Sequence, residues 1–149
     1  MPRDNLLKGR YSQARQIYHV TICTENRRDW FYDLQCGRIV IHQMRHLHEK
    51  NSLKSMAWVV MPDHLHWLFQ LGDGKTLSGV IKQFKATSAI GVNAFLQRKG
   101  RLWQRGFYDH ALRNEENLRQ IARYIVANPL RAGLVEKIGD YPLWDAMWL

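Results

Sequence analysis

Four stretches of the chain have the residue pattern of β-strands. From Gln16 to Thr24, alternate residues fall on opposite sides of an extended backbone, and most are strand formers. A short apolar run from Met56 to Met61 is followed by Pro62-Asp63 and then by a second run from Leu65 to Leu71. This arrangement predicts two antiparallel strands joined by a tight turn. A further strand is predicted from Phe107 to Arg113.

Three other stretches repeat their apolar residues at helical spacing. The first helix is predicted from Leu34 to Lys50, and the second, with lysines beside its apolar stripe, from Thr76 to about Leu96. For the third, Asn114 is the predicted N-cap, and Asn128-Pro129 is expected to end the helix. The order strand, helix, strand, strand, helix, strand, helix predicts an α+β fold. We expect one domain over residues 1–149, with helices packed on a ferredoxin-like antiparallel sheet.

Charge narrows the choice of partners. The chain has 22 Lys and Arg against 13 acidic residues and a formal net charge of +9, which attracts polyanions and makes nucleic acid the first partner to consider. Two cysteines are too few for a disulfide scaffold or a four-thiolate zinc site. With no apolar leader in Met1 to Arg10 and no membrane-spanning stretch, we expect a cytoplasmic protein.

The triplet His64-Leu65-His66 is the sharpest chemical signal. Alternation along a strand sends both imidazoles to one face, where they can share a metal ion, and the triplet directly follows the predicted turn. The alternative is a pair of half-exposed strand histidines.

The third helix offers a nucleophile and a further ligand. Tyr124 and Asn128 are four residues apart and therefore lie on the same side of a helix, at the border of its apolar stripe. Spacing alone favours Tyr124 as an amphipathic residue at the core boundary, and the alternative for Asn128 is a helix terminator before proline.

Four segments taken together resemble the REP-associated tyrosine transposases, relatives of the HUH transposases that move single-stranded DNA. They occur in the family's order, and the resemblance runs from about Tyr11 to Trp144. The segments are Tyr18-His19-Val20-Thr21, Met61-Pro62-Asp63-His64-Leu65-His66, Trp103-Gln104-Arg105-Gly106-Phe107-Tyr108-Asp109-His110 and Tyr124-Ile125-Val126-Ala127-Asn128-Pro129.

The resemblance implies roles for individual residues. His64, His66 and Asn128 would bind a divalent metal, Mg²⁺ or Mn²⁺, and Tyr124 would attack a phosphodiester to give a 5′-phosphotyrosine and a free 3′-hydroxyl. It also implies a substrate, single-stranded DNA with imperfect palindromic hairpins. Tyr108 is the second choice for the nucleophile, and His110 has no assigned role. A monomer is favoured over the dimer of insertion-sequence relatives.

Basic and aromatic residues are candidate DNA contacts. Arg101, Trp103 and Arg105 would share one side of an extended segment and could track a backbone and stack on bases, although Trp103 is as readily explained as core. Four further residues are candidate phosphate contacts, with a solvated basic face as the alternative for each; they are Lys82, Lys85, Arg119 and Arg123.

Two other functions are alternatives to the transposase for this sequence. The first is a nucleic-acid-binding regulator that descends from a transposase and does no chemistry. The second is a metal-dependent ribonuclease that uses a histidine as its base. A pure binding protein has no need to keep two histidines, a tyrosine and an asparagine together, so the enzyme is favoured.

Overall fold

One antiparallel sheet of five strands forms the centre of the computed structural model, which describes residues 15–113 and 116–147. The strands are β1 (Ile17–Cys23), β2 (Leu53–Met61), β3 (His64–Leu71), β4 (Tyr108–Leu112) and β5 (Trp144–Ala146). Their order across the sheet is β4-β1-β3-β2-β5. The first four strands thus have the βαββαβ succession of a ferredoxin-like fold, as predicted, and β5 extends the β2 edge.

Four helices accompany the sheet. They are α1 (Leu34–Glu49), α2 (Leu77–Leu96), α3 (Glu116–Val126) and α4 (Asn128–Arg131). Asp33 caps α1 by accepting a hydrogen bond from the Gln35 amide at 2.9 Å, and Thr76 caps α2 through the Gly79 amide at 3.1 Å. None of the helices in the described part of the chain is long and apolar enough to cross a membrane.

The two faces of the sheet have separate cores. Alternate residues of β1 and β3, such as Val20 and Trp67, are fully buried against α1 and α2. On the opposite face, Val59 and Leu68 pack with Leu118 and other apolar residues of α3. Because α3 covers only this apolar part, the polar residues of β1, β3 and β4 on the same face lie beside the helix rather than beneath it.

The structure differs from the sequence-based expectations in three places. Strand β2 begins at Leu53, three residues before the predicted start, and includes a register shift between Ser55 and Ala57. Strand β5 was not predicted. Helix α3 ends at Val126, near the expected position, but the chain then forms the short helix α4 with Pro129 in its first turn, where proline is tolerated. The predicted cap Asn114 and the segment Met1–Arg10 lie outside the described residues.

Candidate active site

His64 and His66 lie on the same face of the sheet, as their alternation predicted. Leu65 and Trp67, which alternate with them, are fully buried in the opposite core. Cross-strand partners add further polar residues to this face, because directly paired residues of antiparallel strands project to the same side. Thr21 pairs with both His66 and Tyr108, and His19 pairs with His110. We call His19, Thr21, His64, His66, Tyr108 and His110 the polar cluster.

The His64 ring is held by an acidic neighbour. Its Nδ1 atom lies 2.7 Å from Oδ1 of Asp63, and Arg27 Nε donates to the other carboxylate oxygen at 2.9 Å. Burial alone raises the pKa of Asp63, but the hydrogen bonds from His64 and Arg27 outweigh it, so the pKa is lowered overall. The carboxylate is therefore charged at neutral pH and fixes the orientation of the His64 ring.

The His66 ring is held through the same ring atom. Its Nδ1 lies 3.1 Å from His19 Nε2 and 3.1 Å from Thr21 Oγ1. Burial, followed by the charges of His64, His19 and Arg131, lowers the pKa of His66 to about 3. The imidazole is therefore neutral at pH 7, which is the form that binds metals.

These contacts determine which atoms could bind a cation. With each Nδ1 engaged by a neighbour, the Nε2 atoms of His64 and His66 are the remaining ring nitrogens, and the ring centroids are 5.0 Å apart. This is the arrangement of a histidine ligand oriented by a second hydrogen bond. Within residues 15–113 and 116–147, no three His, Cys, Asp or Glu side chains are grouped to hold a metal. A third protein ligand would have to be of another type, such as an amide oxygen.

Tyr124 lies on α3 with 55% of its surface exposed. The Arg131 guanidinium carbon is 3.9 Å from the centroid of the Tyr124 ring, and Arg131 Nη2 donates to the Tyr124 carbonyl at 2.6 Å. The same guanidinium is close enough to His66 to contribute to its lowered pKa. Arg131 thus contacts the tyrosine and contributes to the electrostatics of His66. The structure describes no direct hydrogen bond from Tyr124 to either His64 or His66.

Asn128 is the first residue of α4 and does not continue α3. Ala127, between the two helices, has right-handed helical dihedral angles. Asn128 Nδ2 donates to the Ile125 carbonyl at 3.3 Å. This bond uses the amide nitrogen and leaves the oxygen, the atom that binds metals, as the acceptor of the side chain.

Comparison with known proteins identifies the family. A family model described as "Transposase IS200 like" matches residues 12–128, a range that includes both histidines, Tyr124 and Asn128. The chain belongs to the IS200-like transposase family. Transposases of this family are generally metal-dependent, and two oriented imidazoles and an amide oxygen are donor types that suit a divalent ion.

This IS200-like transposase is similar to REP-associated tyrosine transposases in sequence and in structure. It is 28% identical to the Escherichia coli K12 REP-associated tyrosine transposase over 89% of this chain and 78% of that protein. The structure of a REP-associated tyrosine transposase bound to a REP hairpin superposes with a TM-score of 0.75 and 26% identity, covering 91% of this chain and 79% of that one. A Deinococcus radiodurans R1 crystal structure shares the fold, with a TM-score of 0.57 and 22% identity over 76% of this chain and 92% of that one.

Two predicted DNA contacts of the transposase have structural roles. Trp103 is 3% exposed, packs between Phe31 and Phe84, and donates to Ser88 Oγ at 2.9 Å, so its ring offers no face to a base. The prediction that Trp103 stacks on DNA is therefore wrong, because the ring completes the core. The Lys85 ammonium donates to the carbonyls of Gln104 and Gly106 and so holds the loop before β4 in place.

The other basic candidates are exposed. Lys82, Arg101, Arg105, Arg119 and Arg123 all reach the surface, and Arg101 forms an ion pair with Glu25 at 3.2 Å. Their contact with DNA stays a prediction.

The structure also reveals contributions that sequence reasoning missed. Asp63, His19 and Thr21 all lie in the segments that resemble the family. The alternation of β1 already placed His19 and Thr21 on one side of the strand, but the contact of these two residues with His66 depends on the strand order. Arg131 follows the residue pair expected to end the helix, so nothing in the local pattern indicated that it turns back onto Tyr124.

Proposed function

We propose that this transposase cleaves and rejoins single-stranded DNA beside a palindromic hairpin, through a covalent bond between Tyr124 and the 5′-phosphate. In this proposal His64, His66 and Asn128 hold a divalent ion, Mg²⁺ or Mn²⁺. The observation that carries it is the pair of oriented imidazoles on one sheet face, together with an exposed tyrosine that contacts Arg131, a cation that helps to lower the pKa of His66. The related structure is that of a transposase bound to a REP hairpin, which supports a hairpin substrate here.

The reaction replaces one phosphodiester with another. The Tyr124 hydroxyl oxygen attacks phosphorus, the bond to the 3′-oxygen breaks, and that oxygen leaves as a 3′-hydroxyl after taking up a proton. Attack by a 3′-hydroxyl on the phosphotyrosine reverses these bonds and rejoins a strand. Because the bond energy is retained in the phosphotyrosine, no nucleotide cofactor is required.

The protein's own residues account for several requirements of this reaction. The exposure of Tyr124 lets a DNA phosphate reach its hydroxyl and lets the phenolic proton pass to water. The guanidinium of Arg131 stabilises negative charge that develops on the phenolic oxygen or on the phosphate. When bound, the divalent ion would supply Lewis-acid polarisation of the phosphate. Asp63, His19 and Thr21 hold the two histidine rings in the orientation that binding requires.

The polar cluster holds a second tyrosine, which makes a matched control available. Tyr108 is 71% exposed and pairs with Thr21, and it lies close enough to Arg27 to influence the pKa of that guanidinium. Tyr108→Phe and Tyr124→Phe remove the same atom from two tyrosines near the same site.

Denaturing gels with labelled hairpin oligonucleotides and Mn²⁺ test the proposal. We expect the wild type and Tyr108→Phe to give cut DNA and a covalent protein adduct, and Tyr124→Phe to bind the same DNA without either product. His64→Ala and His66→Ala should lose cleavage, as should the wild type with a chelator. Cleavage by Tyr124→Phe, or cleavage of the matching RNA, would instead favour a nuclease that uses water. Binding without cleavage by the wild type on every hairpin would favour the regulator.

A further inference from the structure

We propose that Arg27 is a positioning residue for His64, which it holds through Asp63 so that the Nε2 atom of His64 faces the proposed metal ion. Arg27 lies on the turn after β1, and Asp63 directly precedes His64 in the turn between β2 and β3. The inference rests on the proposed function, because it concerns the metal site of the same reaction. In this role Arg27 touches neither the ion nor the reacting atoms.

Both oxygens of the Asp63 carboxylate are engaged. Oδ1 lies 2.7 Å from His64 Nδ1, and Oδ2 accepts a hydrogen bond from Arg27 Nε at 2.9 Å. Because an ionised carboxylate can only accept, the hydrogen in the first contact belongs to His64 Nδ1, which leaves the lone pair of a neutral ring on Nε2. A carboxylate held by one oxygen can still rotate about its Cβ–Cγ bond. The bond to Arg27 fixes the second oxygen and with it the plane in which the carboxylate holds His64.

The backbone around Arg27 shows that this contact is built into the fold. Asn26 and Arg27 have left-handed dihedral angles, with φ values of 57° and 52°, which are unfavourable for residues with a Cβ atom. Such angles persist where the surrounding structure holds them, often at functional sites. Here Thr24, which is fully buried, donates its amide to the Asp63 carbonyl at 3.0 Å, and its hydroxyl oxygen lies 2.8 Å from the Arg28 carbonyl oxygen. One buried residue therefore joins the turn that carries Arg27 to the turn that carries Asp63.

Position and charge make opposite predictions for the removal of Arg27. If Arg27 were only a cation near the site, its removal would reduce repulsion and strengthen the binding of a divalent ion. If Arg27 positions His64, its removal lets Asp63 and the ring move, and the ion binds more weakly. Partners that orient a metal-binding histidine typically contribute about 10- to 100-fold in metal affinity. Because the Arg27 side chain is 52% exposed, solvent screens its ion pair with Asp63, and the fold itself depends little on this pair.

Binding of Mn²⁺ alone is measured by electron paramagnetic resonance, which counts the free ion. The test variant is Arg27→Met. The control is Arg28→Met, which removes the same charge from the same turn, where the Arg28 guanidinium carbon lies 5.9 Å from the centroid of a Trp30 ring. We expect Arg27→Met to bind Mn²⁺ about tenfold more weakly than the wild type, Arg28→Met to bind as the wild type does, and Arg27→Lys to fall between the two. Thermal melting checks that each variant is folded.

Single-turnover cleavage of a hairpin substrate separates positioning from direct contact with DNA. We expect Arg27→Met to need about tenfold more Mn²⁺ for its half-maximal rate, and to reach at saturating Mn²⁺ a rate within about twofold of the wild type. A rate that stays low at saturating Mn²⁺ would make Arg27 a group that contacts the substrate, and this would overturn the inference. Unchanged or tighter Mn²⁺ binding by Arg27→Met would overturn it as well.

Failure of the proposed function gives a different result. If the wild type and His64→Ala bind Mn²⁺ equally, His64 is not a ligand and both proposals are overturned. If His64→Ala loses Mn²⁺ binding and the Tyr124 adduct forms, while Arg27→Met equals the wild type, the role of Arg27 alone is wrong.

Discussion

His66 illustrates how its neighbours hold a single residue in the neutral form that the proposed metal site requires. Its ring is buried, and the charges of His64, His19 and Arg131 add to the effect of burial, so a proton on His66 is disfavoured. The same environment makes the folded protein sensitive to acid.

The lowered pKa of His66 predicts a pH dependence of stability. The unfolded chain takes up a proton near the ordinary pKa of 6.5, whereas folded His66 does so only at about 3, so acid favours unfolding between these values. From pH 7 to pH 5, this group should cost the fold on the order of 2 kcal/mol. Urea titrations should show that His66→Gln loses less stability over this interval than the wild type. His42→Gln, at an exposed position on α1, is the control, and parallel curves for all three proteins would contradict the assignment.

Arg131 is expected to act on the rate of strand cleavage. Arg131→Met removes the charge next to Tyr124, and Arg131→Lys keeps the charge but loses the flat group that lies over the ring. In single-turnover cleavage we expect Arg131→Met to react at least about tenfold more slowly, with Arg131→Lys in between. Lys137→Met, at an exposed position beyond α4, should react like the wild type. If Arg131→Met matched this control, the contact with Tyr124 would have no catalytic importance.

At the scale of elements, the strongly periodic segments were predictable. Alternation in β1 and β3 indicated both the strands and the face on which the histidines lie, and Thr76 caps α2 where that helix was expected to begin. Strand β5 could not be predicted in this way, because it has three residues and depends on pairing with β2, far away in the chain. For α4, the proline that ends one helix also suits the first turn of the next, a choice that local sequence leaves open.

The loop before β4 provides a test of how the elements are joined. Trp103 fixes this loop to α2 through Phe84 and Ser88, so Trp103→Ala should lower the free energy of unfolding by about 3–5 kcal/mol. Chemical denaturation measures the loss. Arg105→Ala, two residues away and exposed, should leave stability within about 0.5 kcal/mol of wild type. A Trp103→Ala protein that kept its stability and lost only DNA binding would instead support stacking of Trp103 on DNA bases.

At the scale of the whole molecule, one face of the sheet is a core covered by helices, and the other face carries both a core and the proposed active site. One face is buried under α1 and α2, and α3 covers the apolar part of the other, so the polar cluster lies beside α3 and its exposed tyrosine. The spacing of His64 and His66 suggested a metal site, but only the resemblance to a family selected Tyr124 over a core-boundary residue.

Identification of the residue that becomes attached to DNA tests the central claim most directly. Wild-type protein is reacted with a hairpin substrate, the adduct is digested with nuclease and trypsin, and the peptide that carries the 5′-phosphate is sequenced by mass spectrometry. Trypsin should separate the two tyrosines, placing Tyr124 in the peptide 124–131 and Tyr108 in the peptide 106–113. The account predicts the modification on Tyr124. A phosphate on Tyr108, or cut DNA with no modified tyrosine, would contradict it.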